Sequence, residues 1–97
     1  MKVCKFGGTS VASAEQIKKV ANIVTADPSR KVVVVSAPGK RFSEDEKVTD
    51  LLIHLAEQAL KGENTDWELE KVIDRYRLIA TELDLSDDIV QIIEQDL

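Results

Sequence analysis

Four consecutive valines, Val32 to Val35, place the tightest constraint on what this 97-residue chain can fold into. β-Branched side chains lose rotamer freedom in a helix and pack well on a pleated surface. The run from Lys31 to Ser36 does not alternate apolar with polar residues, so it reads as a strand covered on both faces in a parallel sheet. A parallel neighbour requires a crossover, and the upstream sequence supplies one. Val3 to Phe6 forms a short extended segment that stops at Gly7-Gly8. Ser13, followed three residues on by Gln16, makes a capping box; Ile17, Val20, Ala21 and Val24 then recur along one helical face until a break near Ala26, before Asp27-Pro28. Strand, helix and strand predict a right-handed βαβ unit.

After Ala37-Pro38-Gly39, the polar stretch Lys40 to Lys47 predicts an exposed loop over the end of the second strand, its order left open by the sequence. Leu51, Leu52, Leu55, Ala59 and Leu60 mark a helix closed by Gly62 as a left-handed cap. Thr65 with Glu68 repeats the capping box and opens a third helix, with Leu69, Val72, Ile73, Tyr76, Ile79 and Ala80 on its apolar side. Asp84 to Ser86 breaks it, and Ser86 caps a fourth helix carrying Ile89, Val90, Ile92 and Ile93. The expected class is α/β, a βαβ unit followed by a helical segment. Two strands alone make a marginal sheet. The valine run is therefore expected to be completed by further sequence, a partner subunit or an exchanged element in a dimer.

Charge and length narrow the functional classes. The 18 acids against 13 bases are spread along the chain, and no basic stripe is interleaved with aromatics, which argues against a nucleic-acid partner. No apolar run is long enough to span a membrane, and the N-terminus lacks a signal pattern, so a cytoplasmic location is expected. The single cysteine, Cys4, cannot form an intramolecular disulfide and agrees with a reducing compartment.

The chemistry concentrates in Lys5-Phe6-Gly7-Gly8-Thr9-Ser10, where a cation at a strand end precedes two residues without side chains. Successive amides in such a turn can form a nest for phosphate oxygens, and the helix starting near Ser13 adds a favourable dipole. A lysine ammonium there can neutralise charge on a transferring phosphoryl group. The plainer alternative is a snorkelling lysine beside a chain-reversing Gly-Gly. Ser36-Ala37-Pro38-Gly39 follows the second strand, so both loops are expected at the carboxyl edge, where open α/β sheets bind ligands. Thr49-Asp50 opens the next helix, either as a holder of a small substrate's carboxylate or simply as a helix cap.

In order and spacing, KFGGTSVAS at Lys5 to Ser13, VVVVSAPGK at Val32 to Lys40 and KVTDLL at Lys47 to Leu52 resemble the opening of aspartate kinases, within the amino-acid kinase family. RYRLIATELDL at Arg75 to Leu85 is similar too. The resemblance implies the N-terminal part of a three-layer α/β/α catalytic domain spanning residues 1–97. The nucleotide half and the regulatory ACT domains lie beyond the sequence in hand. It implies transfer of the γ-phosphoryl group of Mg-ATP to the side-chain carboxylate of L-aspartate, in a homo-oligomer. Lys5 would be the catalytic cation, with Gly7, Gly8 and Ser10 on the ATP phosphates; Ser36, Thr49 and Asp50 would be at the substrate. Magnesium would arrive with ATP, with no protein metal site of its own. Half a site cannot assemble the needed positioning, so the segment alone is expected to be inert. A different amino-acid kinase, such as one acting on glutamate, and a non-catalytic phosphate-binding or interaction module are the alternatives.

Other reactive residue types receive plainer readings. His54 lacks a Cys, His or Ser partner pattern and Cys4 reads as a small strand hydrophobe. Trp67 is expected to cover a helix junction or a partner surface, and the acids of Ser43 to Lys47 to be solvated rather than metal-binding. Asp84, Asp87 and Asp88 suit the start of the last helix.

Overall fold

The computed structural model describes residues 1–96. The chain divides into two compact units, Met1–Lys47 and Val48–Leu97.

The first unit is the expected βαβ. Strand β1 (Lys2–Phe6) leads through a 3-10 turn (Gly8–Val11) into helix α1 (Ala14–Thr25), and strand β2 (Arg30–Val35) returns parallel to β1. Val3 pairs with Val32, Cys4 with Val33, Lys5 with Val34 and Phe6 with Val35. Ser13 caps α1 as its sequence suggests: extended at φ −145°, its Oγ accepts from the Gln16 amide at 3.4 Å. At the opposite edge of the pair, Asp27 ties the strand starts together. It accepts from Lys2 Nζ at 2.7 Å and from the Ser29 amide and hydroxyl at 2.9 and 2.7 Å. The Lys2 amide donates to the Ser29 carbonyl at 2.6 Å.

Strand β2 is left open, in keeping with a valine run that calls for neighbours from further sequence or a partner. Val32 to Val35 remain exposed, from 39% at Val32 to 56% at Val35. Among the described residues the sheet has two strands. The non-alternating pattern is that of a strand made for two covered faces, and the described residues leave each of these valines more than a third exposed.

The second unit consists of α2 (Val48–Leu60), α3 (Asp66–Glu82) and α4 (Asp87–Asp96). Ile73, Ala80 and Val90 form a buried cluster with Leu69 packed against it, so the apolar side of α3 meets α4 much as helical periodicity suggests. Both turns between these helices close in the same way. Gly62, at φ 73°, lets its amide reach the Ala59 carbonyl at 3.0 Å and the Glu63 amide reach Gln58 at 3.2 Å. Asp84, at φ 58°, does likewise: its amide donates to Thr81 at 3.1 Å and the Leu85 amide to Ala80 at 2.9 Å. Each pair satisfies carbonyls that would otherwise be orphaned in the last helical turn.

Three local expectations are corrected here. Thr65 makes no side-chain cap at α3; Asn64 Oδ1 instead accepts from the Asp66 amide at 2.9 Å. An Asx residue two positions upstream of the amide outcompetes the hydroxyl. Of the two readings of Trp67 the helix junction is set aside and the partner surface is untouched: the ring is exposed, with the Lys71 ammonium 4.0 Å from its centroid. Arg75, off the expected apolar stripe, is buried. Among the described residues no helix is long and apolar enough to cross a membrane.

Candidate functional site

Parallel pairing brings the two strand ends, and the loops that follow them, to one edge of the first unit. The ladder continues one step past β2, where the Ser36 amide donates to the Phe6 carbonyl at 3.1 Å. Lys5 lies opposite Val34, and side chains alternate along a strand, so Ser36, two residues beyond Val34, falls on the same face as Lys5. Both residues are exposed.

Gly7 and Gly8 serve different purposes. Gly7 is extended (φ −72°, ψ 174°) and heads the 3-10 turn; the position its Cβ would take has nothing within 4 Å. That open space beside Lys5 is one an anion can approach closely. Gly8 is hemmed in by the other loop: a Cβ there would lie 3.0 Å from the Ala37 carbonyl oxygen and 3.2 Å from the Gly39 backbone. The Ser10 amide is used within the turn, donating to Gly7 O at 3.0 Å, so any contact from Ser10 to a ligand falls to its hydroxyl. Thr9, Ser10 and Ser13, with Gln16 and Lys40, line a depression of about 430 Å³.

The loop after β2 is bonded within itself. Arg41 donates to Asp45 from its amide at 2.9 Å, from Nε at 2.6 Å and from Nη2 at 2.9 Å, while the Asp45 amide donates to Phe42 O at 3.1 Å. The guanidinium holds the Asp45 carboxyl well below the usual carboxylate range. Asp45 is thus an ion-pair partner with a side chain only 8% exposed, which corrects its reading as a solvated acid.

Thr49 and Asp50 belong to the second unit, at the second and third positions of α2. Both are exposed, and Asp50 complements the helix dipole from within the first turn. In the same unit, His54 on α2 approaches Glu68 on α3, Nε2 to Oε1, at 3.8 Å. Lys5, Gly7, Gly8, Ser10 and Ser36 therefore share one unit, and Thr49 with Asp50 stands in the other. Sequence reasoning missed the close approach of Gly39 to Gly8; the only signal for it was a glycine in each of two loops expected at one sheet edge.

Comparison with known proteins points in one direction. A model of the amino acid kinase family matches residues 1–96. Aspartokinase 3 of Bacillus subtilis is 57% identical over 97 residues, all of this chain and 21% of that protein. A chloroplastic bifunctional aspartokinase/homoserine dehydrogenase 1 of Zea mays is 37% identical over 95 residues, 96% of this chain and 10% of the relative. The crystal structure of Clostridium acetobutylicum aspartate kinase superposes with a TM-score of 0.87 at 35% identity, over 97% of this chain and 22% of that one. The chain thus spans about a fifth of the Bacillus and Clostridium proteins.

Proposed function

This chain belongs to the amino acid kinase family, and on that premise we propose that it forms the phosphate- and substrate-binding opening of an aspartate kinase. The reaction is transfer of the γ-phosphoryl group of ATP to the side-chain carboxylate of L-aspartate. A carboxylate oxygen attacks the γ-phosphorus; the new O–P bond forms as the bond to the β,γ-bridging oxygen breaks, leaving ADP and 4-phospho-L-aspartate.

Two anions must meet in this reaction, and charge must be neutralised as the phosphoryl group moves. Lys5 is the cation assigned to that task, and Gly7 and Gly8 let backbone amides approach the phosphates. The Ser10 hydroxyl assists. Ser36, on the face shared with Lys5, is assigned to the reacting carboxylate; Thr49, with Asp50, holds the amino acid. Magnesium is assigned to the nucleotide's phosphates, with which it arrives. A homo-oligomer and a cytoplasmic location are part of the same proposal.

The observation that most supports this reading is the meeting of Lys5, the open side of Gly7 and Ser36 at one sheet edge, in a chain 57% identical to an aspartokinase. The test is ATP-dependent aspartyl hydroxamate formation by an enzyme containing this segment, with glutamate as competitor substrate. Turnover with aspartate and not glutamate is expected. Preference for glutamate, or phosphate binding without turnover, would overturn the proposal. The 97-residue chain alone is expected to show no turnover.

A further inference from the structure

We propose that Gly39 is a positioning residue, a backbone latch that locks the loop after β2 onto the glycine turn after β1; the proposal rests on the kinase reading of that site. Gly39 is buried, and its amide donates to the Gly8 carbonyl at 2.8 Å. A Cβ on Gly39 would lie 2.7 Å from the Gly8 carbonyl carbon and 3.0 Å from both Gly8 O and Thr9 N. All three are backbone atoms, so no side-chain rotation relieves the clash. Among the described residues Gly62 is the glycine with positive φ, so neither Gly8 nor Gly39 is required by an unusual backbone conformation. What requires them is mutual approach.

This latch works with a second tie. The Ser36 amide bonds to Phe6 O at 3.1 Å, three residues before Gly39 bonds to Gly8. Phe6 to Gly8 and Ser36 to Gly39 therefore form a small ring closed by two hydrogen bonds. Buried Pro38 stiffens one side of it by fixing its own φ. Lys5 immediately precedes this ring, Gly7 and Ser36 lie within it, and Gly39 closes it. A loop that must hold a hydroxyl beside a phosphate turn to within a fraction of an ångström gains that precision from such a ring, because displacements of about 1 Å can cost about a hundredfold in rate.

The first test is amide hydrogen exchange, resolved to single residues, on an aspartate kinase containing this segment. The Gly39 and Ser36 amides are expected to be as protected as the Val33 and Val34 ladder. Exchange of Gly39 at the rate of an open loop would overturn the latch, and this readout requires no variant to fold. In Gly39→Ala, protection at residues 39 and 36 is expected to fall at least about tenfold while Val72 and Ile73 in α3 are unchanged. The second test is kinetic, on an aspartate kinase containing this segment. Gly39→Ala is expected to lower kcat at least about thirtyfold with KM for ATP and aspartate within about threefold, the split a positioning defect produces. An unchanged kcat in folded enzyme would overturn the positioning role. Lack of aspartate-dependent turnover in the unsubstituted enzyme would instead defeat the kinase reading, with exchange still deciding the latch.

Discussion

Arg41 and Asp45 face one another across a four-residue span and close it with three hydrogen bonds, one from the backbone and two from the guanidinium. A fork of two parallel charge-assisted bonds fixes geometry as well as supplying energy. The loop following the candidate site is thereby drawn into a compact turn. Asp45→Asn is expected to loosen it and to speed trypsin cleavage after Lys40 and Arg41 by about tenfold, equivalent to about 1.4 kcal/mol of local opening. Unchanged cleavage would mean the fork does not hold the loop.

Acid should weaken the far edge of the βαβ unit first at Asp27. Hydrogen bonds from Lys2 and Ser29 lower its pKa from 3.8 to about 2. A carboxyl depressed in the folded state stabilises fully above its unfolded pKa, and that stability is lost as pH falls through the folded value. Between pH 4 and 2 the wild-type chain is therefore expected to lose stability more steeply than Asp27→Asn. Urea midpoints measured across that window check this, and parallel slopes would count against it.

Much of the fold was legible in the sequence, since local rules and tertiary packing agree there. Val3 to Phe6 and the valine run lie within the two strands, and Ser13 caps α1. Gly62 ends α2 in the left-handed conformation. What was not legible depends on what approaches from elsewhere. Asp45 reads as a solvated acid until Arg41 folds over it, and Gly39 reads as ordinary loop punctuation until Gly8 is found against its backbone. That Val32 to Val35 want more neighbours than two strands supply was legible; which element supplies them was not, because coverage is a property of neighbouring layers and not of the strand itself. In the candidate site, residue types and strand-end positions were legible; the roles of the individual glycines were not.

Asp84, which the sequence assigns with Asp87 and Asp88 to the start of the last helix, instead follows the cap of α3, where it holds a left-handed conformation that an L side chain adopts at a cost and places a negative charge at the helix C-terminal end. Asp84→Gly relieves both and is expected to stabilise the chain by about 1 kcal/mol, raising Tm by several degrees. A lower Tm would indicate that the Asp84 side chain makes a compensating contact.

Ile73 is 1% exposed at the centre of the α3–α4 cluster. Ile73→Ala is expected to cost about 2–5 kcal/mol through lost transfer energy and a residual cavity. Denaturant unfolding with an unchanged m-value would measure this directly. A loss below about 1 kcal/mol would mean the cluster is not a packed core.

The most direct measurement concerns the ammonium at the end of β1. In an aspartate kinase containing this segment, Lys5→Ala should leave circular dichroism and Tm essentially unchanged, because Lys5 is exposed, while kcat for aspartate phosphorylation falls at least about a hundredfold. Activity within threefold of the unsubstituted enzyme would contradict the assignment of Lys5, and with it the placing of phosphoryl transfer at this edge of the sheet.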